Sequence, residues 1–136
     1  MLMGAEMAYT AKDYEKALHI YKQLKDKAAS MERRQLAKTG MLRSAHMLGN
    51  EEEIIFTATD LLADTKLAPE LSNEAHYYRA KAYLDAGKTD GAMEDLKILA
   101  KDTRNVYGAE AKYKVAQIYF DGGQTDKAEQ EVLNYI

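Results

Sequence analysis

The chain has 136 residues with 19 basic and 22 acidic side chains, a net charge of −3, no cysteine and a single proline, Pro69. The charge is spread as ten basic and ten acidic groups through residue 68 and nine and twelve after it, which argues against nucleic acid or an anionic membrane as partner, and the lack of cysteine removes disulfides and thiolate metal sites. The longest aliphatic or aromatic run is Ile54-Ile55-Phe56, far short of the roughly eighteen residues of a membrane span, and Met1 to Glu6 has neither the basic start nor the apolar centre of a secretory signal.

The first predicted element is a helical hairpin. Ala5 and Ala17 lie twelve apart around a turn at Ala11-Lys12-Asp13-Tyr14, and Ala17, Tyr21 and Leu24 set the apolar stripe of its second helix. The chain enters this hairpin part-way through its first helix. Ser30 then caps a helix expected to run to about Leu48, with Leu36, Gly40, Met41, Ala45 and Leu48 near one face. Gly49-Asn50 makes the next turn, and Glu51, Glu52 and Glu53 occupy a first helical turn, where the dipole favours negative charge. Ile54, Ala58, Leu61 and Leu62 continue that helix, and a loop from Ala63 to Ser72, including Pro69, follows.

The remainder is an internal repeat. Glu74 to Ala92 recurs thirty-six residues on as Glu110 to Ala128, with ten of nineteen positions identical where chance gives roughly one. Within it Ala80, Tyr83, Leu84 and Gly87 form a helical stripe, Gly87 allows a left-handed turn, and Thr89 and Asp90 suit the start of the next helix, carried by Ala92, Leu96 and Leu99. The copy offers Ala116, Tyr119, Gly123, Thr125, Ala128, Val132 and Tyr135. Alanines twelve apart let antiparallel helices approach closely. Measured from Ala5 through Gly40 and Ala80 to Ala116, the units are spaced 35, 40 and 36 residues.

Ala80-x2-Tyr83 with Ala92-x3-Leu96, Ala116-x2-Tyr119 with Ala128-x3-Val132, and Ala17-x3-Tyr21 resemble the tetratricopeptide repeat, a helix-turn-helix of about thirty-four residues. The chain departs from it in having no tryptophan, alanine for glycine at three of four small sites, and only Pro69 near a unit end. The resemblance implies an all-α, right-handed superhelical solenoid of about four hairpins, with units near residues 1–29, 30–71, 72–106 and 107–136 of one domain. Residues 74–136 are also similar to long tetratricopeptide arrays of bacterial cell envelopes, including periplasmic proteins associated with the Tol-Pal system, which implies an envelope adaptor. The last helix, with Val132, Leu133, Tyr135 and Ile136, shows no polar cap, so the expectation is a part of a longer array, or self-association through exposed terminal helices.

No motif points to catalysis or a cofactor. His19, His46 and His76 lie in three different units and read as surface or rim histidines, HExxH is absent, and Glu51 to Glu53 point in different directions on a helix, so no metal site is expected. There is no phosphate loop, nucleophile elbow or cysteine nucleophile. The resemblance implies instead a protein or peptide partner held on the concave face by the first helix of each hairpin. The residues placed there by register are Tyr9 with Glu6; Arg34 and Met41 with Ser44; Glu74, Tyr77, Lys81, Leu84 and Asp85; and Glu110, Tyr113, Gln117, Phe120 and Asp121. Tyr77, Tyr113, Leu84 and Phe120 have a second reading, as packing between neighbouring hairpins. The four asparagines fall in turns or near helix ends, so the carboxylate clamp some family members use on chaperone tails is not expected.

Overall fold

A computed structural model describes residues 2–101 and 104–123 of the chain. Seven helices follow one another: α1 (Leu2–Thr10), α2 (Tyr14–Lys27), α3 (Met31–Leu48), α4 (Glu51–Leu62), α5 (Pro69–Asp85), α6 (Thr89–Ala100) and α7 (Gly108–Asp121), with no strand among the described residues. The expected eighth helix, with Thr125, Ala128, Val132 and Tyr135, lies outside the described residues. The fold is an all-α solenoid of stacked helical hairpins.

Each hairpin turns at one residue in the left-handed region, Lys12 (φ 64°), Gly49 (φ 69°), Gly87 (φ 76°) and Gly123 (φ 79°). In the first three, the next amide reaches back five residues: Asp13 N–H to the Ala8 carbonyl (2.9 Å), Asn50 to Ala45 (3.1 Å) and Lys88 to Tyr83 (2.7 Å). This bond satisfies a carbonyl that the helix end would leave free. Helix starts are handled less uniformly. Asp13, Ser30 and Asn50 accept bonds from Lys16, Arg33 and Glu53 N–H, as expected of Ser30. Lys88 stands at the cap of α6 without a side-chain bond, so Thr89 begins the helix but does not cap it. Pro69 opens α5 as its first residue instead of lying in the loop, because its fixed φ is already helical and it has no N–H to leave unpaired.

Measured between turn residues the spacings are 37, 38 and 36, far more even than 35, 40 and 36. The register of the second hairpin therefore differs from the one anchored on Gly40. Seven residues before each turn stand Ala5, Leu42, Ala80 and Ala116, all buried, so Leu42 occupies the small-residue site. Gly40 is small for another reason. A Cβ there would lie 2.3–2.5 Å from three Tyr21 ring atoms, so the ring packs directly on the α3 backbone. Gly40→Ala is expected to lose about 1–2 kcal/mol, the overpacking cost exceeding the helix-propensity gain of about 1 kcal/mol, as read by chemical denaturation.

The core is a chain of three clusters. Ala5, Ala8, Ala17, Leu18 and Tyr21 pack with Met41 of the next unit; Leu42, Ala45, Ile54, Ala58 and Leu61 pack with Ala75 and Ala82; Ala80, Ala92, Leu96, Leu99 and Ala100 pack with Ala111 and Val115. Each cluster joins one hairpin to the first helix of the next, so stability comes from nearest-neighbour interfaces. Besides the partners in sequence, α1 touches α3 and α3 touches α5, whereas no two even-numbered helices meet among the described residues. The stack therefore bends toward its odd-numbered helices, which form the inner layer.

Candidate functional site: the inner face

Counting back from the turn, positions thirteen, ten, six and three form one stripe on each odd helix, since those steps of three and four keep to one side. Position ten holds Leu2, Thr39, Tyr77 and Tyr113; position six Glu6, Arg43, Lys81 and Gln117; position three Tyr9, His46, Leu84 and Phe120. Position thirteen adds Leu36, Glu74 and Glu110. Of the residues expected in the groove from units one, three and four, all but Asp85 and Asp121, two positions before the turn, fall on this stripe.

The expected residues of unit two do not. Met41 is 2% exposed and packs into the first core cluster, and Ser44 is fully buried. Arg34 is exposed but lies nine residues before Arg43, two and a half helical turns, which places it on the opposite side of α3. The error comes from the Gly40 register. The residues of α3 on this stripe are Leu36, Thr39, Arg43 and His46, of which Thr39 is buried.

Where the units meet, the stripe is a bonded surface. Arg43 Nε and Nη2 donate to the two Glu74 carboxylate oxygens at 2.7 and 2.9 Å, tying α3 to α5. His46 stacks on Tyr78 and Tyr77 on Tyr107, each with ring centroids 4.3 Å apart. Tyr77 donates its hydroxyl hydrogen to Glu110 (3.0 Å), and Lys81 both donates to the Tyr77 hydroxyl (3.2 Å) and lies 5.0 Å from its ring centroid. Burial pushes the Tyr78 phenol up to about 12, which keeps it neutral. Burial, with Lys81 nearby, lowers the His46 pKa, favouring an uncharged ring for stacking. Tyr9 makes an edge contact with Tyr14 at 5.2 Å and borders a cavity of about 350 Å³ between the first two units, lined also by Glu6, Tyr21, Leu36 and Arg43. Tyr77 and Leu84 thus serve in inter-unit packing, while Tyr113 and Phe120, at the equivalent positions of α7, are 67% and 62% exposed.

One polar cluster was missed from sequence. Asp95 of α6 is fully buried and accepts from Arg79 Nε (2.9 Å) and Nη2 (2.6 Å), with His76 Nδ1 at 2.8 Å. Arg79 Nη1 also donates to Thr59 Oγ1 of α4 at 3.0 Å, so the cluster binds three helices. His76 is 9% exposed, a buried histidine and not a surface or rim one. Burial alone would raise the Asp95 pKa; the bonds from His76 and Arg79 outweigh it and hold the carboxyl below its ordinary value of 3.8. Among the described residues no three His, Asp or Glu side chains are placed to share a metal ion, and no helix is long and apolar enough to cross a membrane.

These features define a repeat solenoid with an inner face built from its odd-numbered helices. Residues 74–102, from within α5 past the end of α6, match the family model described as tetratricopeptide repeat, which supports a tetratricopeptide-repeat protein. No curated protein matches the chain significantly.

Proposed function

We propose that the chain is a non-enzymatic scaffold that holds a protein or peptide partner along its inner face. The observation that carries this reading is the placement of exposed apolar side chains. Of the eleven large hydrophobic residues exposed among the described ones, eight lie on odd helices, three of them (Leu36, Tyr113 and Phe120) on the inner stripe, and only Phe56 and Ile98 lie on even ones. Clustered exposed apolar area marks an interaction surface, and tyrosine supplies contact area at low entropic cost. Tyr113 and Phe120, with Gln117 between them, offer such area without a role in the described core. We infer a place for this scaffold in a bacterial envelope assembly from the resemblance of the sequence of residues 74–136 alone.

The alternative, a structural segment that binds nothing itself, is favoured by Tyr77, whose ring and hydroxyl are both spent on the next unit. The two readings separate in a capture experiment with Tyr113→Ala/Phe120→Ala, a pair whose exposure leaves folding intact. Under the scaffold reading the variant retains about tenfold less partner or lower. Equal retention by variant and wild type contradicts it.

A further inference from the structure

Twelve residues past each of the first three turns stands a leucine: Leu24, Leu61 and Leu99. Leu61 and Leu99 are 1% and 0% exposed, each closed over by the helices of its hairpin and the next. Leu24 is only part-buried and faces a cavity of about 560 Å³ at the end of the first hairpin, lined by Leu2, Met3 and Leu36 and rimmed by Lys27 and Arg33. Met3 and Leu36 are 73% and 50% exposed.

The charge around this cavity is opposite to that of the chain. Residues 25–38 hold five basic and two acidic side chains, although the whole chain is net acidic. Lys25 pairs with Asp26 and Lys38 with Asp60. Lys27 and Arg33, which line the cavity, are exposed and have no ion pair among the described residues. An apolar cavity with unneutralised cations on its rim asks for apolar side chains flanked by carboxylates, and the same leucine elsewhere in the stack is covered by helices.

We infer that this cavity, which adjoins the first-hairpin end of the inner stripe at Leu2 and Leu36, is a second docking site that receives an acidic amphipathic helix of another protein. Leucine-like side chains of that helix fill the space over Leu24 and Leu36, and its glutamates or aspartates meet Lys27 and Arg33. Burial of the apolar face supplies affinity, and the charges set orientation and discriminate against basic helices.

The test uses the full chain and a fluorescent eighteen-residue helical peptide with leucines on one face and glutamates beside them, together with a twin carrying lysine for every glutamate. The acidic peptide is expected to bind saturably and to weaken as salt rises. The lysine twin, and the acidic peptide with Lys27→Glu/Arg33→Glu, should each bind at least about tenfold more weakly. Leu36→Ser should also weaken binding, whereas Tyr113→Ala/Phe120→Ala should leave it unchanged. All the substituted positions are exposed, and circular dichroism checks that each variant is folded. No saturable binding, equal binding of the two peptides, or indifference to the charge reversal overturns the inference. So does a result in which the charge reversal abolishes association with phosphatidylserine vesicles, or self-association, while the peptide does not bind.

Discussion

Asp95→Ala is expected to cost about 3–5 kcal/mol of stability, because it strands the Arg79 guanidinium and the His76 ring against a site that water does not reach. The loss should be cooperative across units, since Arg79 also holds Thr59 of the preceding hairpin. The repeat itself supplies the rescue. Eight residues before and after the turn, unit three has Arg79 and Asp95, while unit two has Met41 and Thr57. Replacing a buried ion pair by residues that already fill the equivalent place removes the charge together with its partner, so Arg79→Met/Asp95→Thr should recover most of the loss. Chemical denaturation of the two variants checks both statements. A single variant as stable as the parent would show that the cluster is not bonded as described.

The same cluster sets an acid limb. A carboxyl held below its unfolded pKa contributes stability that is complete above about pH 4 and drains away as pH falls through the lowered folded value. Unfolding below pH 4 should therefore be steeper for the parent than for Arg79→Met/Asp95→Thr, which has no carboxyl there to protonate. Denaturation midpoints measured from pH 6 to 2 give the comparison, and parallel curves would contradict it.

Ala80→Arg is the second large effect. Ala80 and Ala92 are both fully buried where α5 meets α6, and a guanidinium forced between them has neither room nor a partner. The expected loss is at least about 4 kcal/mol, toward the extreme of single substitutions. Because unit three contributes to the clusters on both its sides, its failure should release the neighbouring hairpins as well. Glu94→Arg, on the exposed side of α6, provides the control and should change stability by less than about 0.5 kcal/mol. Equal melting of Ala80→Arg and the parent would refute the packing of this hairpin.

Much of this was legible in the residues because the repeat constrains itself. The Glu74–Ala92 copy, the turn glycines and the Ser30 cap report directly on helix ends, and the structure places helices where they indicate. Unit two was misread because two different demands produce a small residue. Gly40 makes room for a ring from the preceding unit, while the close helix contact within its own hairpin is made by Leu42 and Ile54. Alignment on the left-handed turn residue would have found the register at Gly49, since the backbone there is more restrictive than a site that accepts alanine or leucine. At Lys12 even that signal is faint, because a non-glycine residue holds φ 64°. The Asp95 cluster was hidden because His76 and Asp95 are nineteen residues apart and meet only once the hairpin closes. From the turn they sit eleven back and eight forward, so closing of the hairpin at Gly87 is what brings them together.

The central claim, that partners are held by the odd-numbered helices, is tested most directly by site-specific photocrosslinking. A photoreactive amino acid is placed in turn at Tyr113 and Phe120 on the inner stripe and at Phe56 and Ile98 on the outer helices, all of them exposed. In a lysate of the organism from which the chain comes, the inner positions should trap the same partner and the outer positions should not. Crosslinks to that partner from Phe56 or Ile98, with none from Tyr113 or Phe120, would contradict the account.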